Sequence, residues 1–159
     1  MHPALELIPY SPDLAHYFSK INEEWITEMF VLEDSERAVL ENPQKEIIDR
    51  GGYIFFVKAE PHGIVGTGAL RKTGPGEYEL TKMGVLKSAR GLKAGEFILQ
   101  ALIAKAKDLR ASYLYLLTNK KCEAAIHLYE KNGFSHDEET MDRFGRKYER
   151  ANVAMRYTL

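Results

Sequence analysis

Arg90, Gly91, Lys93 and Gly95 fall inside one short stretch, Leu86-Lys87-Ser88-Ala89-Arg90-Gly91-Leu92-Lys93-Ala94-Gly95, and residues of these types so spaced can hold an anion. Two glycines let the backbone approach a ligand with no Cβ in the way, while an arginine and a lysine place full positive charges beside it. Phosphate is the usual anion where a helix begins at such a turn. The first amide N–H groups of a helix lack partners, and the positive end of its dipole lies behind them. The stretch does not close in Gly-Lys-Ser/Thr and lacks the G-x-G-x-x-G spacing, so it is neither a P-loop nor a dinucleotide fingerprint. A plain strand-to-helix connection would use the same glycines for its turn.

The flanking residues supply the elements that must position this turn. Residues 78–85 alternate with the period of a half-buried strand. Beyond the turn, Ile98, Leu102, Ala106 and Leu109 recur at helical spacing, with Glu96, Gln100 and Lys107 on the other side. A second strand is expected over 112–118, followed by Asn119 and a short helix from Glu123 that Gly133 closes. A whole helix separates the two strands, so they are expected to run parallel through a right-handed crossover.

Taken together, these segments resemble the GNAT superfamily of acyl-CoA-dependent N-acetyltransferases. The family's pyrophosphate loop reads Gln/Arg-x-x-Gly-x-Gly/Ala; Arg90 and Gly95 take its first and last positions, and Lys93 stands where its first glycine is usual. The second signature, Ala-x-x-Leu-Tyr-x-x-x-Gly-Phe, is met by Ala125, Leu128, Tyr129, Gly133 and Phe134. The resemblance covers residues 77–134 by motif and most of the chain by element order. It implies an α/β (α+β) acyl-CoA N-acyltransferase fold in a single domain over residues 1–159. That fold has a mixed central sheet of about six or seven strands with helices on both faces, and its parallel strands, here 77–86 and 112–118, splay apart.

The resemblance also implies a chemistry: acetyl-CoA as co-substrate and direct transfer of its acetyl group to a primary amine, with no metal and no covalent intermediate. Arg90, Gly91, Leu92, Lys93, Ala94, Gly95 and Glu96 would hold the pyrophosphate. The backbone of Met83, Gly84 and Val85 would pair with the pantetheine arm, with Asn119 opposite and Ala125 in the second signature. Glu79, six residues before Val85, matches the spacing of the catalytic glutamate in the family's histone acetyltransferases. It is the candidate general base, acting directly or through water, and Glu77 is its substitute. A solvent-facing or ion-paired strand residue would look the same. Tyr129 matches the family's tyrosine that protonates the CoA thiolate; its other reading is a core aromatic beside Leu128 and Phe134. Amides near Val85 would stabilise the oxyanion. Glu24, Trp25 and Glu28 lie on the first long helix, which borders the acceptor pocket in this family. Acidic residues there would suit a cationic amine, though a solvated helix face reads identically. Arg143, Arg146, Tyr148, Glu149 and Arg150 are further candidates for the same pocket.

Composition narrows the field without choosing an acceptor. The 159 residues are 45% hydrophobic with a formal charge of −1, which fits an ordinary globular chain and argues against a nucleic-acid partner held by bulk positive charge. No apolar run approaches the ~20 residues needed to cross a bilayer, and the first residues lack a basic-then-apolar signal, so no membrane partner and a cytoplasmic setting are expected. Cys122 is the one cysteine, which excludes an internal disulfide and a cysteine-rich zinc site, and no His–Asp arrangement activates it as an acyl carrier. The five histidines show no metal-binding spacing. A small-molecule or peptide amine, and a monomer or a homodimer, all stay open. So do two other classes of protein: a CoA-binding regulatory module without catalysis, and a nucleotide-phosphate binder using the same turn.

In chain order, a strand is expected over 4–9 and a helix starts at Ser11-Pro12, its apolar face carried by Leu14, Tyr17, Phe18, Ile21 and Trp25. Helical pieces follow from about Ser35 and from Pro43 to Arg50, then a hairpin of strands at 53–57 and 64–70. After Phe134, the charged residues from Asp137 to Lys147 read as a solvated loop, and residues 152–159 as the last strand.

Overall fold

The computed structural model describes residues 4–159; His2 lies outside them. Its elements are β1 (Leu5–Pro9), α1 (Ala15–Met29), α2 (Asp34–Glu41), β2 (Tyr53–Ala59), β3 (Gly63–Gly74), β4 (Glu77–Val85), α3 (Ala94–Asp108), β5 (Tyr113–Thr118), α4 (Glu123–Lys131), β6 (Phe134–His136), α5 (Glu138–Phe144) and β7 (Val153–Tyr157). A 3₁₀ turn at Pro12–Leu14 leads into α1, and a π-helical turn at Gln44–Ile48 leads toward β2. The strands form one sheet in the order β1-β2-β3-β4-β5-β7-β6, every neighbouring pair antiparallel except β4 and β5.

Both faces of the sheet are covered, which explains the unbroken apolar run of β2. Val57, with Tyr53 and Phe55, packs toward Ile98, Leu99 and Leu102 of α3; Ile54 and Phe56 pack toward Phe18 and Ile26 of α1 and Val39 and Leu40 of α2. The acidic stretch expected as a loop is instead the short helix α5. Asp137 caps it by accepting hydrogen bonds from the Thr140 backbone N–H (3.1 Å) and hydroxyl. Phe144 at its other end stacks on Tyr115 with ring centroids 4.1 Å apart. Charge density suggested solvent exposure, but a capping aspartate and one aromatic anchor, Phe144 stacked on the buried Tyr115, outweigh it.

The feature that shapes the rest lies on β4. Its pairing with β3 passes from Ala69↔Thr81 to Thr67↔Gly84, so β4 carries one more residue than β3 over this interval. Lys82 takes the left-handed backbone conformation there, with φ 53°. The bulge bends the strand, and β4 pairs with β5 only at Glu77↔Tyr113, Tyr78↔Leu114 and Glu79↔Tyr115. From Leu80 onward β4 has no partner on that side, while β5 continues beside β7 as far as Thr118.

Candidate active site

The parted strands enclose a cleft of about 570 Å³, open mouth included. Met83 and Leu80 form one wall and Leu117 and Asn119 the other; Tyr129 and Cys122 come from the α4 side, and Trp25, Phe30, Tyr148 and Arg150 from the α1 and β7 sides. Where β4 ends, a second cavity opens at the N-terminus of α3, bounded by Val85, Arg90, Gly91, Lys93, Gly95 and Lys131. The two cavities lie next to one another along the chain: Met83 lines the first and Val85 the second on β4, and Tyr129 and Leu128 do so on α4.

The mouth of α3 is built for a group that approaches the backbone closely. Gly91 has φ +92°, and a Cβ there would meet nothing within 4 Å. Lys93 caps the helix with φ 63° and ψ 21°. A lysine therefore holds the left-handed conformation that glycine adopts more cheaply, at a cost of about 1–2 kcal/mol. Ala94 and Glu96 border the same cavity, whereas Leu92 packs against the core. Glu96 is tied to α4: hydrogen bonds from Asn132 and Lys131 hold its carboxyl below the usual range. Arg90 pairs with Glu28 at 3.3 Å, both side chains well exposed, so it is available to exchange that contact for an anion.

Tyr129 is 8% exposed and faces the cleft, its ring edge-on to Phe134 with centroids 6.0 Å apart. Among the described residues no side chain hydrogen-bonds its hydroxyl; burial, and then the neighbouring Cys122, push its pKa up, so the phenol stays protonated. Glu79 is 1% exposed and sits at the last paired position before the strands part. Its carboxylate pairs with Lys147 and accepts a hydrogen bond from the Tyr148 hydroxyl at 3.4 Å. Tyr148 lines the cleft, so Glu79 stands directly behind the cleft wall. Glu77 is taken by Arg143 at 2.7 Å and by the Thr73 hydroxyl at 2.9 Å.

The remaining sequence candidates separate. Trp25 lines the cleft, its ring held by an Nε1–H hydrogen bond to Asn22 (2.9 Å). Glu24 and Glu28 turn to the α3 loop instead, Glu24 accepting the Lys87 backbone N–H at 3.0 Å. Asn119 borders the cleft but spends its amide on the Arg150 carbonyl (2.6 Å) and its oxygen on the Lys121 N–H (2.9 Å). Ala125 packs on the core. Gly84 lies under Trp25: a Cβ there would stand 2.4 Å from the ring's Cδ1. Gly84→Ala is thus expected to displace the ring and destabilise the protein by about 1–3 kcal/mol, read as a lower urea midpoint at unchanged slope. An unchanged midpoint would mean the ring is not seated there.

The cleft wall near α2 also contains a buried charge cluster that the sequence did not reveal. Lys82, turned by the bulge, pairs with Glu36 at 3.1 Å, the two side chains 3% and 0% exposed. Arg150 grips Glu36 with both guanidinium NH₂ groups and reaches Glu33 at 3.4 Å. Burial alone would raise the Glu36 carboxyl; the Arg150 hydrogen bonds and the Lys82 charge overcome it and hold the pKa below 4.5. Burial pulls the Lys82 ammonium down against the opposing pull of Glu36. The one local signal was Glu33-x-x-Glu36, which forms a capping box at the start of α2.

A mixed sheet that parts at its single parallel pair, with an open helix mouth at the end of the parted strand, is the architecture of acyl-CoA N-acyltransferases. The chain belongs to the acetyltransferase (GNAT) family, whose sequence profile matches residues 17–134. A GNAT-family acetyltransferase from Staphylococcus aureus superposes with a TM-score of 0.85 at 23% identity, over 97% of this chain and 98% of that one. An acetyltransferase from Streptococcus agalactiae gives 0.80 at 18% identity, over 98% of each chain. The PaiA N-acetyltransferase from Thermoplasma acidophilum, solved in complex with coenzyme A, gives 0.74 at 14% identity, over 98% of this chain and 99% of that one. No curated protein sequence matches the chain significantly. Among the described residues no helix is long and apolar enough to cross a membrane, and no three His, Cys, Asp or Glu side chains gather as a metal site.

Proposed function

We propose that the protein transfers an acetyl group from acetyl-CoA to a primary amine by direct attack. The observation that carries this reading is the parting of β4 from β5 after Glu79, which opens a slot between Tyr129 and the α3 mouth. The residues present fit the co-substrate. Free amides at the start of α3, the open space over Gly91, and Arg90, Lys93 and Lys131 suit a diphosphate. The unpaired edge of β4 at Met83 to Val85 suits an amide-bearing arm, as an added strand would. When bound, acetyl-CoA supplies the thioester carbonyl and a thiolate leaving group.

The chain's own groups do the rest. Backbone N–H groups near Val85 stabilise negative charge on the carbonyl oxygen. Tyr129 holds the proton that the departing sulfur needs, kept in place by the burial that raises its pKa. Glu79 takes the amine's proton, through a water or through the Tyr148 hydroxyl that already hydrogen-bonds it. An alkyl ammonium has a pKa near 10, so its deprotonation must be assisted.

The test is acetyl-CoA-dependent release of free thiol across a broad amine panel. Glu79→Gln is expected to lower kcat by about 10²-fold, the lower end of what general base catalysis contributes, with coenzyme A affinity by calorimetry unchanged. Tight binding with no thiol release from any amine would leave only a binding module.

A further inference from the structure

Resting on that reading, we propose that the acceptor is a primary amine on an apolar body that carries no second cationic group. Four features of the cleft favour such a molecule over a polyamine.

First, among the described residues no aspartate or glutamate lines the cleft; its charged lining residues are the two cations Lys82 and Arg150. Second, every carboxylate behind the wall is already neutralised: Glu36 by Lys82 and Arg150, Glu33 by Arg150, and Glu79 by Lys147. Glu24 and Glu28, the acidic residues of α1 best placed to attract a cation, are engaged by the α3 loop. Third, two of the aromatic rings that line the cleft, Tyr148 and Phe30, already carry protein cations. Lys82 lies 4.6 Å and Arg150 5.6 Å from the Tyr148 ring centre, and Arg150 lies 5.4 Å and Lys121 5.8 Å from that of Phe30. Fourth, much of the remaining lining is apolar, with Trp25, Phe30, Leu80, Met83 and Leu117, which suits contact with a hydrophobic body.

These features act in one direction on the reaction. Poor solvation disfavours an ammonium and lowers its pKa, as burial does for Lys82, and with Lys82 and Arg150 paired to Glu36 and Glu33 the wall offers it no net negative charge. A single amine entering this cleft is therefore more easily stripped of its proton for attack. A polyamine would bring a further cation that remains charged, and among the described residues no carboxylate lines the cleft to answer it.

The experiment compares kcat/KM for 2-phenylethylamine and for spermidine in the thiol-release assay, in the wild type and in Lys121→Glu. The wild type is expected to favour phenylethylamine by about tenfold, the effect of one like-charge repulsion at roughly 10 Å in a partly desolvated cleft. The preference should narrow in Lys121→Glu, which turns a cation beside Phe30 into an anion. An equal or higher value for spermidine in the wild type, or a preference that does not narrow in the variant, overturns the proposal while transfer itself stands. Release of thiol with neither amine nor any other in the panel overturns transfer, and the acceptor proposal with it.

Discussion

Tyr129→Phe is expected to lower kcat by about 10²-fold or more, because general acid catalysis of thiolate departure typically contributes about 10²–10⁴-fold. The substitution removes one oxygen and leaves the ring that packs edge-on against Phe134. No described side chain hydrogen-bonds that oxygen, so its loss strands no donor or acceptor in the protein. Stability should therefore stay within about 0.5 kcal/mol of wild type, and coenzyme A should bind as before. Steady-state kinetics beside calorimetric titration separate the roles. A fall in melting temperature with kcat preserved would make Tyr129 a packing residue and remove the acid.

Glu36→Gln should produce the largest loss of stability of any change discussed, about 3 kcal/mol. Glu36 is fully buried and answers two cations, Lys82 and Arg150. Removing one partner of a buried pair leaves uncompensated charge and costs about 3–5 kcal/mol; the amide, which still accepts a hydrogen bond, places the variant at the lower end. Against a total of about 5–15 kcal/mol this is a large fraction. The exposed pair Arg37–Glu23, at 3.4 Å with side chains 49% and 45% exposed, is the control. Glu23→Gln should change the unfolding free energy, read from the urea midpoint and slope, by no more than about 0.5 kcal/mol. The pH dependence follows from the lowered pKa of Glu36: its contribution is fully present above the ordinary value of 4.5 and is lost as pH falls through the lower folded value. Acid unfolding of the wild type should include this loss and that of Glu36→Gln should not. Equal acid midpoints would argue that the cluster carries little stability.

The cluster matters to function because of where it lies. Lys82 and Arg150 are both cleft residues, so the contacts that stabilise α2 and the segment leading into β7 also set the charge of the cleft wall. Loss of Glu36 should therefore alter acceptor choice as well as stability. Two opposite charges removed from water behave as one neutral unit only while both are present.

Several elements were legible along the chain because the forces that form them are local. The alternation of β4, the helical spacing of α3 and the glycine that closes α4 each lie within a dozen residues, and each is found where it was expected. The order of elements and the family's two signatures then follow in register. Helix α5 escaped because its formation depends on Asp137 capping Thr140 and on Phe144 reaching Tyr115, a contact between segments far apart in sequence. Glu24 and Glu28 stand as acceptor-pocket candidates only through the resemblance, which names the helix but not what each side chain meets; here they meet the α3 loop.

By itself the sequence determined the family and, α5 apart, the sheet-and-helix order, since each is written in short-range spacing and residue type. Only the tertiary structure decided that a bulge at Lys82 parts β4 from β5, that Glu79 lies behind Tyr148, and that Glu36, Lys82 and Arg150 meet at the cleft wall. Those three residues are separated by 46 and 68 positions along the chain. Charge pairs so distant in sequence form only when the folded sheet and its helices bring them within a few ångströms, where burial makes each one's charge depend on the others.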